Sequence, residues 1–435
     1  MLRRLGLPCR WGRPGIRSPR FSGGRRHLKT KVVAIVGTLD TKGVEFAYLK
    51  KRIEAAGVAT LVIDVGVLGE PFFPPDIGAD EVARADGSDL AALRTRNDRG
   101  EAMAVMARGA AEVAARLHRE GRVHGIVSMG GGGGTAVGTA AMRALPIGVP
   151  KLMLSTLASG DVRPYVGVSD VTMMPSLVDV AGINVVSSRI IANAAGAITG
   201  MVGAEVSPAV GGGQPVIAAT MFGVTTPCVT RARAVLEAAG YEVLVFHATG
   251  IGGQMMEQLI RAGFIAGVLD ITTTELADEL MGGVLSAGPN RLEAAGEAGI
   301  PQVVSVGALD MVNFGSPESV PARYKDRTFH RHNPQVTLMR TTAGENAELG
   351  RVIAAKLGRA RGPTVLILPR GGVSLIDVAG RPFHDPAADA ALFDALRANL
   401  TANVELVEMD TDINDEAFAV RAAGLLIERL GNRQE

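Results

Sequence analysis

Two glycine-flanked turns in the first third of the chain carry residue types that suit phosphate chemistry. The first is Gly37-Thr38-Leu39-Asp40-Thr41-Lys42-Gly43, with hydroxyls, a carboxylate and an amine in one short run. The second is Gly130-Gly131-Gly132-Gly133-Gly134-Thr135, between an apolar run and a stretch of helix-forming composition. Backbone N–H groups at such a turn, with a helix dipole behind them, attract anions, phosphate above all. Glycine is expected there because a Cβ would block close approach and would forbid positive φ. Thr135 can cap the following helix or offer its hydroxyl to a phosphate or metal. Lys42 can pair with a phosphate, and Asp40 can hold magnesium directly or through water. Ser155, Ser159 and Asp161 add a third polar group beyond a strand end. A plain, capped, solvated turn explains each stretch as well. The glycine run is neither a strict G-x-G-x-x-G nor a P-loop, since no Gly-Lys-Ser/Thr follows.

A second polar set lies downstream: Thr225 and Thr226, Asp270 with Glu275, Asp310, Arg370, and His332 with Asn333. Arg370 suits a carboxylate or phosphate and His332 an acid–base role. Glu275 or Asp310 would orient that histidine or hold a metal. The alternative is that Asp270 and Asp310 only cap the segments that follow them. Asp64, ending an apolar run, is either structural or a ribose contact. Cys228 follows Pro227 at an expected helix start, where the dipole lowers a thiol pKa. The expected state is nonetheless a buried small hydrophobe.

The elements that must position these residues alternate between strand and helix. Residues 31–37 form an apolar strand, 44–56 a helix with Phe46, Leu49 and Ile53 on one face, and 60–67 a second strand. This is a βαβ unit and implies a parallel sheet. Residues 70–88 are loop-like, with Pro71, Pro74 and Pro75, and Asn97 is expected to cap a helix over 98–120. Strands are expected at 125–129 and 150–156, and one long small-residue helix at 179–204. The pattern then restarts, with a strand and turn over 216–227, strands expected at 241–247, 267–275, 302–310 and 364–369, and a closing helix at 416–430. Arg327 to Asn333 is polar and basic, with His332 and Asn333 following a basic loop expected to fold over the sheet edge. The repeat of Glu54-Ala-Ala-Gly57 as Glu237-Ala-Ala-Gly240 marks two related units. The expected fold is α/β, two Rossmann-like domains of parallel sheet flanked by helices, over 31–207 and 208–435. In such sheets ligands bind beyond the carboxyl ends of the strands.

Composition narrows the function classes. The 435 residues are 47% hydrophobic and only 4% aromatic, with 55 glycines and a net charge of +1. No global field points to nucleic acid or to a membrane surface, and no apolar run approaches the length of a membrane span. Cys9 and Cys228 are the only cysteines, which fits a reducing, cytoplasmic setting. Residues 1–30 are Arg-rich and precede the first acid, Asp40. That composition resembles an organellar transit peptide, but its prolines and glycines favour a disordered basic tail.

The runs Val36-Gly-Thr-Leu-Asp-Thr-Lys-Gly43, Met129-Gly-Gly-Gly-Gly-Gly-Thr135, Ser155-Thr-Leu-Ala-Ser-Gly-Asp161 and Phe222-Gly-Val-Thr-Thr-Pro-Cys228 resemble an uncharacterised family of ATP-binding proteins typified by a plant tobamovirus-resistance protein. The resemblance implies ATP with magnesium in the first half, held by the turn Gly37 to Gly43 and the loop Gly130 to Thr135. It also implies a separate partner polypeptide, a barrel domain resembling phosphoenolpyruvate-using enzymes. Relatives carry His-Ile-Asn-Asp near the C-terminus where this chain has Asp412-Ile-Asn-Asp415. Two functions compete: a Mg-nucleotide protein with an enzymatic role on a small acidic metabolite, and a non-catalytic ATP-responsive interaction module. A dinucleotide oxidoreductase is disfavoured, because Asp64 follows no strict G-x-G-x-x-G turn. Homo-oligomers are expected, from the long small-residue helix.

Overall fold

Runs of Val, Ile, Leu and Ala with apolar residues at successive positions are buried on both faces, and such runs become strands of parallel sheets. The computed structural model describes residues 31–204 and 213–431. The basic stretch 1–30 and the expected domain boundary at 207/208 lie outside the described residues.

The first half runs β1 (Val32–Gly37), α1 (Leu39–Ala55), β2 (Ala59–Asp64), α2 (Ala79–Ala85), α3 (Leu90–Arg96), α4 (Arg99–Arg119), β3 (Gly125–Gly130), α5 (Gly132–Arg143), β4 (Lys151–Ser155), α6 (Arg163–Val166), β5 (Thr172–Pro175) and α7 (Val185–Gly203). Its sheet is parallel, in the order β2-β1-β3-β4-β5. On one face, Phe46, Leu49 and Ile53 of α1 pack with Ile191, Ala194 and Ile198 of α7. On the other, α2, α4 and α5 supply Val82, Met106, Val113 and Val137.

The second half runs β6 (Val216–Met221), α8 (Thr226–Ala238), β7 (Glu242–His247), α9 (Ile251–Arg261), β8 (Gly267–Thr272), α10 (Thr274–Met281), α11 (Ala294–Ala298), β9 (Gln302–Gly307), β10 (Met311–Phe314), β11 (Phe329–Asn333), β12 (Val336–Arg340), α12 (Ala343–Leu357), β13 (Thr364–Pro369), α13 (Pro386–Asn399), β14 (Val404–Met409) and α14 (Glu416–Gly431). Its main sheet is parallel, ordered β14-β13-β9-β8-β6-β7, and β10-β12-β11 form a small antiparallel sheet. Counted from the first strand of each half, both parallel sheets follow the order 2-1-3-4-5, and the second adds a sixth strand at its edge. The fold is therefore α/β, two parallel sheets each flanked by helices.

Several boundaries differ from the sequence reading, for local reasons. The Thr38 to Gly43 turn is helical from Leu39 onward, with a kink at Lys42 (φ −130°, ψ 26°). Asp98, not Asn97, caps α4 by accepting from the Glu101 N–H at 3.0 Å. Asn97 instead ends α3 in the left-handed region at φ 51°, which asparagine tolerates. The proline-rich 70–88 stretch contains α2 once its prolines are past. The long helix starts at Val185 under a capping box from Asn184, so 179–184 is a strap before it. The basic segment at 327–333 is not a loop over the sheet edge but mostly strand β11. α7 does reach the length and apolarity of a membrane span, against the expectation that no run would, and its inner face is committed to the sheet core.

Candidate functional site

The order β2-β1-β3 reverses direction between β1 and β3, and that switch point is where ligands lodge in open parallel sheets. There the turns after β1 and β3 face each other across a cavity of about 680 Å³. One end is walled by Thr38, Asp40, Thr41 and Lys42 and by Gly131, Gly132, Gly133 and Gly134. The other end is apolar, with Val67, Leu93, Met103, Met106 and Val137. A second depression, of about 640 Å³, lies at the amino edge of the sheet around Arg122 and His124, away from both turns.

Gly37 is required by packing: a Cβ there would sit 2.1 Å from the Phe46 ring. None of Gly130 to Gly134 has a positive φ, so backbone conformation does not explain that run. A Cβ on Gly130 would meet the Gly134 Cα at 3.0 Å. Helix α5 begins at Gly132 with Gly131 as its N-cap. Thr135 is therefore not the cap: its hydroxyl donates to the Gly131 carbonyl at 2.8 Å and pairs with the Ser155 hydroxyl at 2.7 Å. Both side chains are buried and brace the turn from behind. Ser159 and Asp161 are exposed, and Arg163 holds the Asp161 carboxyl down at about 2.

The charged groups of the cavity are mostly tied to backbone. Asp40 Oδ2 accepts from the N–H groups of Leu68 and Gly69 at 2.8 and 3.3 Å. Its Oδ1 is buried without a partner. Lys42 Nζ donates to the Val180 carbonyl. Asp64 is structural, accepting from Leu39 and Gly66 at 3.0 and 2.9 Å. Burial, with the nearby Asp40 charge, pushes its carboxyl up despite those bonds. Among the described residues no group of three metal-binding side chains occurs. A divalent ion here would depend on ligand oxygens and water, with Asp40 the protein carboxylate that keeps a buried oxygen unpartnered.

The second polar set is divided among separate places. Glu275 and Asp270 meet on the fully buried Arg291. Its Nε lies 2.6 Å from Glu275, and its Nη1 and Nη2 lie 2.6 and 2.7 Å from the two Asp270 oxygens. Glu257 stands at 3.6 Å. Burial alone pulls the guanidinium pKa down, but these carboxylates overcome it and carry it well above the ordinary value. Asp310 belongs to another buried group: it accepts from the Ser374 hydroxyl at 2.8 Å and faces Arg340, which also binds Asp377 and Asp389. Arg370 is exposed and pairs with Asp410. His332 is exposed on β11. The Thr225 hydroxyl bonds the Thr272 hydroxyl at 2.8 Å, at the second sheet's own switch point.

The sequence model of an uncharacterised protein family, the UPF0261 N-terminal domain, matches residues 31–207, and its C-terminal domain matches 214–430. The chain belongs to the UPF0261 family. A UPF0261 protein of Clostridium tetani is 55% identical over 398 residues, covering 91% of this chain and 98% of the relative. Another, from Rhizobium meliloti, is 50% identical over 396 residues, covering 90% and 97%. The tomato ToMV resistance protein Tm-1(GCR237) is 45% identical over 412 residues, covering 89% of this chain but 54% of the tomato protein.

In this UPF0261 chain the residues that sequence reading missed are arginines. Arg94 ties the cavity's outer loop by donating to the Val67 and Gly69 carbonyls at 2.9 and 3.0 Å, and Arg99 opens α4 beside the glycine turn. Arg291 and Arg340 organise the two buried carboxylate groups. Their only sequence signal was a surplus of carboxylates at strand ends that needed a counter-charge. Cys228 is fully buried, and burial pushes its thiol up to about 12. In a Cys9→Ser background, a thiol reagent at neutral pH is expected to leave the native UPF0261 chain unlabelled and to label it after denaturation. Rapid labelling of the native chain would contradict this.

Proposed function

We propose that the first half binds a nucleoside triphosphate with magnesium, ATP being the nucleotide that the family resemblance implies, in the switch-point cavity. The observation that supports this reading is the sequence cost of α5. Gly132, Gly133, Gly134 and Gly138 all lie in this helix of 12 residues, and each glycine costs about 0.5–1 kcal/mol relative to alanine. Gly138 is accounted for by Ser128 Oγ, 2.5 Å from where its Cβ would stand, and Gly134 by the Met129 carbonyl at 3.2 Å. At Gly132 a Cβ would meet nothing nearer than Leu157 Cδ1 at 3.9 Å, and at Gly133 only the flexible Met103 Cε at 3.2 Å. Packing does not require those two glycines. Bare backbone N–H groups at a helix start, facing a cavity, account for them. The apolar end then takes the base, and magnesium arrives on the phosphates with Asp40 as its protein-side carboxylate.

Calorimetry with Mg-ATP tests the proposal. Wild type is expected to release heat and to gain about 2.7 kcal/mol of stability at a nucleotide concentration 100 times the dissociation constant. Gly133→Leu would send its side chain between Met103 and Arg99 and is expected to abolish both effects while the far-UV circular dichroism stays unchanged. A wild type that shows neither heat nor stabilisation ends the reading. A second reading, a nucleotide-responsive interaction module without turnover, is favoured by one feature. The strap before α7 hangs on α1 through Lys42 to the Val180 carbonyl and the Gly182 N–H to Glu45, beside the cavity, and the residues leading into it, Leu177 and Val178, are exposed. Release of inorganic phosphate from ATP separates the two readings, because only an enzyme turns nucleotide over. An acidic metabolite, a barrel-domain protein and a second copy of the chain are the further partners this proposal would accommodate.

A further inference from the structure

The cavity holds three cationic side chains and three carboxylates, Lys42, Arg94 and Arg99 against Asp40, Asp98 and Asp179. Formal charge therefore balances, and what distinguishes these groups is which of them already have partners. The carboxylates accept from backbone: Asp40 from Leu68 and Gly69, Asp98 from Glu101 and Asp179 from Val180. Lys42 donates to the Val180 carbonyl, and Arg94 donates to the carbonyls of Val67 and Gly69. Among the described residues, Arg99 alone of the three cations has no hydrogen bond and no ion pair. Its side chain is exposed to solvent, and helix α4 sets where it starts. It is the first residue of α4, capped by Asp98, and its guanidinium lies 3.9 Å from the position a Cβ would take on Gly133.

We propose that Arg99 is the cation of this cavity reserved for ligand, and that together with the N–H groups of Gly132 and Gly133 it selects a polyphosphate chain. The inference rests on the nucleotide reading above and makes it more specific. A guanidinium offers a fork of donors that matches phosphate oxygens two at a time. Backbone N–H groups at the start of α5 supply the opposite side of the same anion. An uncharged nucleoside gains nothing from either group. The contribution of α4 also gives the insertion between β2 and β3 a role: α2 and α3 carry the chain back so that Arg99 stands across from the glycine turn.

The experiment is calorimetry on the full chain with three probes, Mg-ATP, inorganic tripolyphosphate with magnesium, and adenosine. Wild type, Arg99→Gln and Arg99→Lys are compared. Arg99→Gln is expected to weaken Mg-ATP and tripolyphosphate roughly ten- to a hundredfold, the range for losing a hydrogen bond to a charged group. Its adenosine binding stays at the wild-type value. Arg99→Lys recovers part of the loss, since it keeps charge without the fork. Because Arg99 has no hydrogen bond or ion pair among the described residues, melting of both variants should match wild type, so a lost affinity reads as a lost contact. Equal binding of both phosphate probes by wild type and Arg99→Gln overturns the assignment and leaves nucleotide binding standing. If wild type binds tripolyphosphate but not ATP, the nucleoside reading falls and the Arg99 assignment is judged on tripolyphosphate alone. If wild type binds neither, both are overturned.

Discussion

Arg291→Met is expected to lower the unfolding free energy of the second half by about 3–5 kcal/mol, the cost of stranding a buried charge by removing its partner. The effect is large because Arg291 answers three carboxylates at once. Asp270 takes two of its bonds, Glu275 takes one, and Glu257 stands within ion-pair distance. Two of those carboxylates also hold the backbone in place. Glu275 accepts from Gly250 and Gly253 at 2.7 and 3.0 Å at the start of α9. Glu257 accepts from Leu292 and Ala294 at 2.6 and 2.8 Å. Methionine fills much of the arginine's volume but leaves the acids unanswered, and they must take up protons or water. Urea unfolding followed by circular dichroism measures the loss. A variant within about 1 kcal/mol of the parent, the size of an exposed ion pair, would mean that the group is solvated and not a buried lock.

The second large effect is a fall in the stability of the second half as pH rises. Around Arg340 one guanidinium serves Asp310, Asp377 and Asp389, so burial leaves negative charge in excess. Burial, then repulsion from Asp310 and Asp389, pushes the Asp377 carboxyl far up. Burial, only partly offset by Arg340, pushes Asp310 up as well. Asp278, buried beside Asn313, is raised to about 7 from the ordinary 3.8. Between those two values the native chain keeps protons that the unfolded chain has released, so unfolding is favoured as pH increases. The contribution is complete at low pH and is lost from about pH 4 upward to the raised values. Denaturant midpoints at pH 5, 6.5 and 8 are expected to fall in that order. In Asp377→Asn, which removes one titrating group, the slope should flatten and the midpoint at pH 8 should exceed the parent's. Parallel slopes in parent and variant would show that the Arg340 group does not titrate in this range.

Much of the frame was legible because apolar runs between glycine-rich turns announce buried strands. The expected strand at 364–369 is β13 to the residue, and 125–129 falls one residue short of β3. The two turns at the first switch point were also legible, since strand, polar or glycine turn and helix occur in that order. What escaped notice was anything set by distance through space. The strap ahead of α7 read as helix because its composition is apolar and small, and only the Asn184 cap and the pull of Lys42 and Glu45 break it off. By sequence, Glu275 and Asp310 are expected beside His332. Their real neighbours, Arg291 and Arg340, lie 16 and 30 positions away in sequence, in segments with no periodicity to mark them as buried. Arg99 carries no sequence signal of its own, and only the cavity and the lack of a partner among the described residues distinguish it.

Each half keeps its own apolar interior. The clusters that hold the first sheet draw on residues of the first half alone, and those of the second half likewise stay within it. A chain built in this way need not melt as one cooperative unit, so a single transition temperature is not a sufficient description of it. A nucleotide that stabilises the first half would shift one transition and leave the other where it was. Heating would then give a two-step record in which the ligand-sensitive step identifies its own half, and a damaged second half could unfold while the first still carried its ligand.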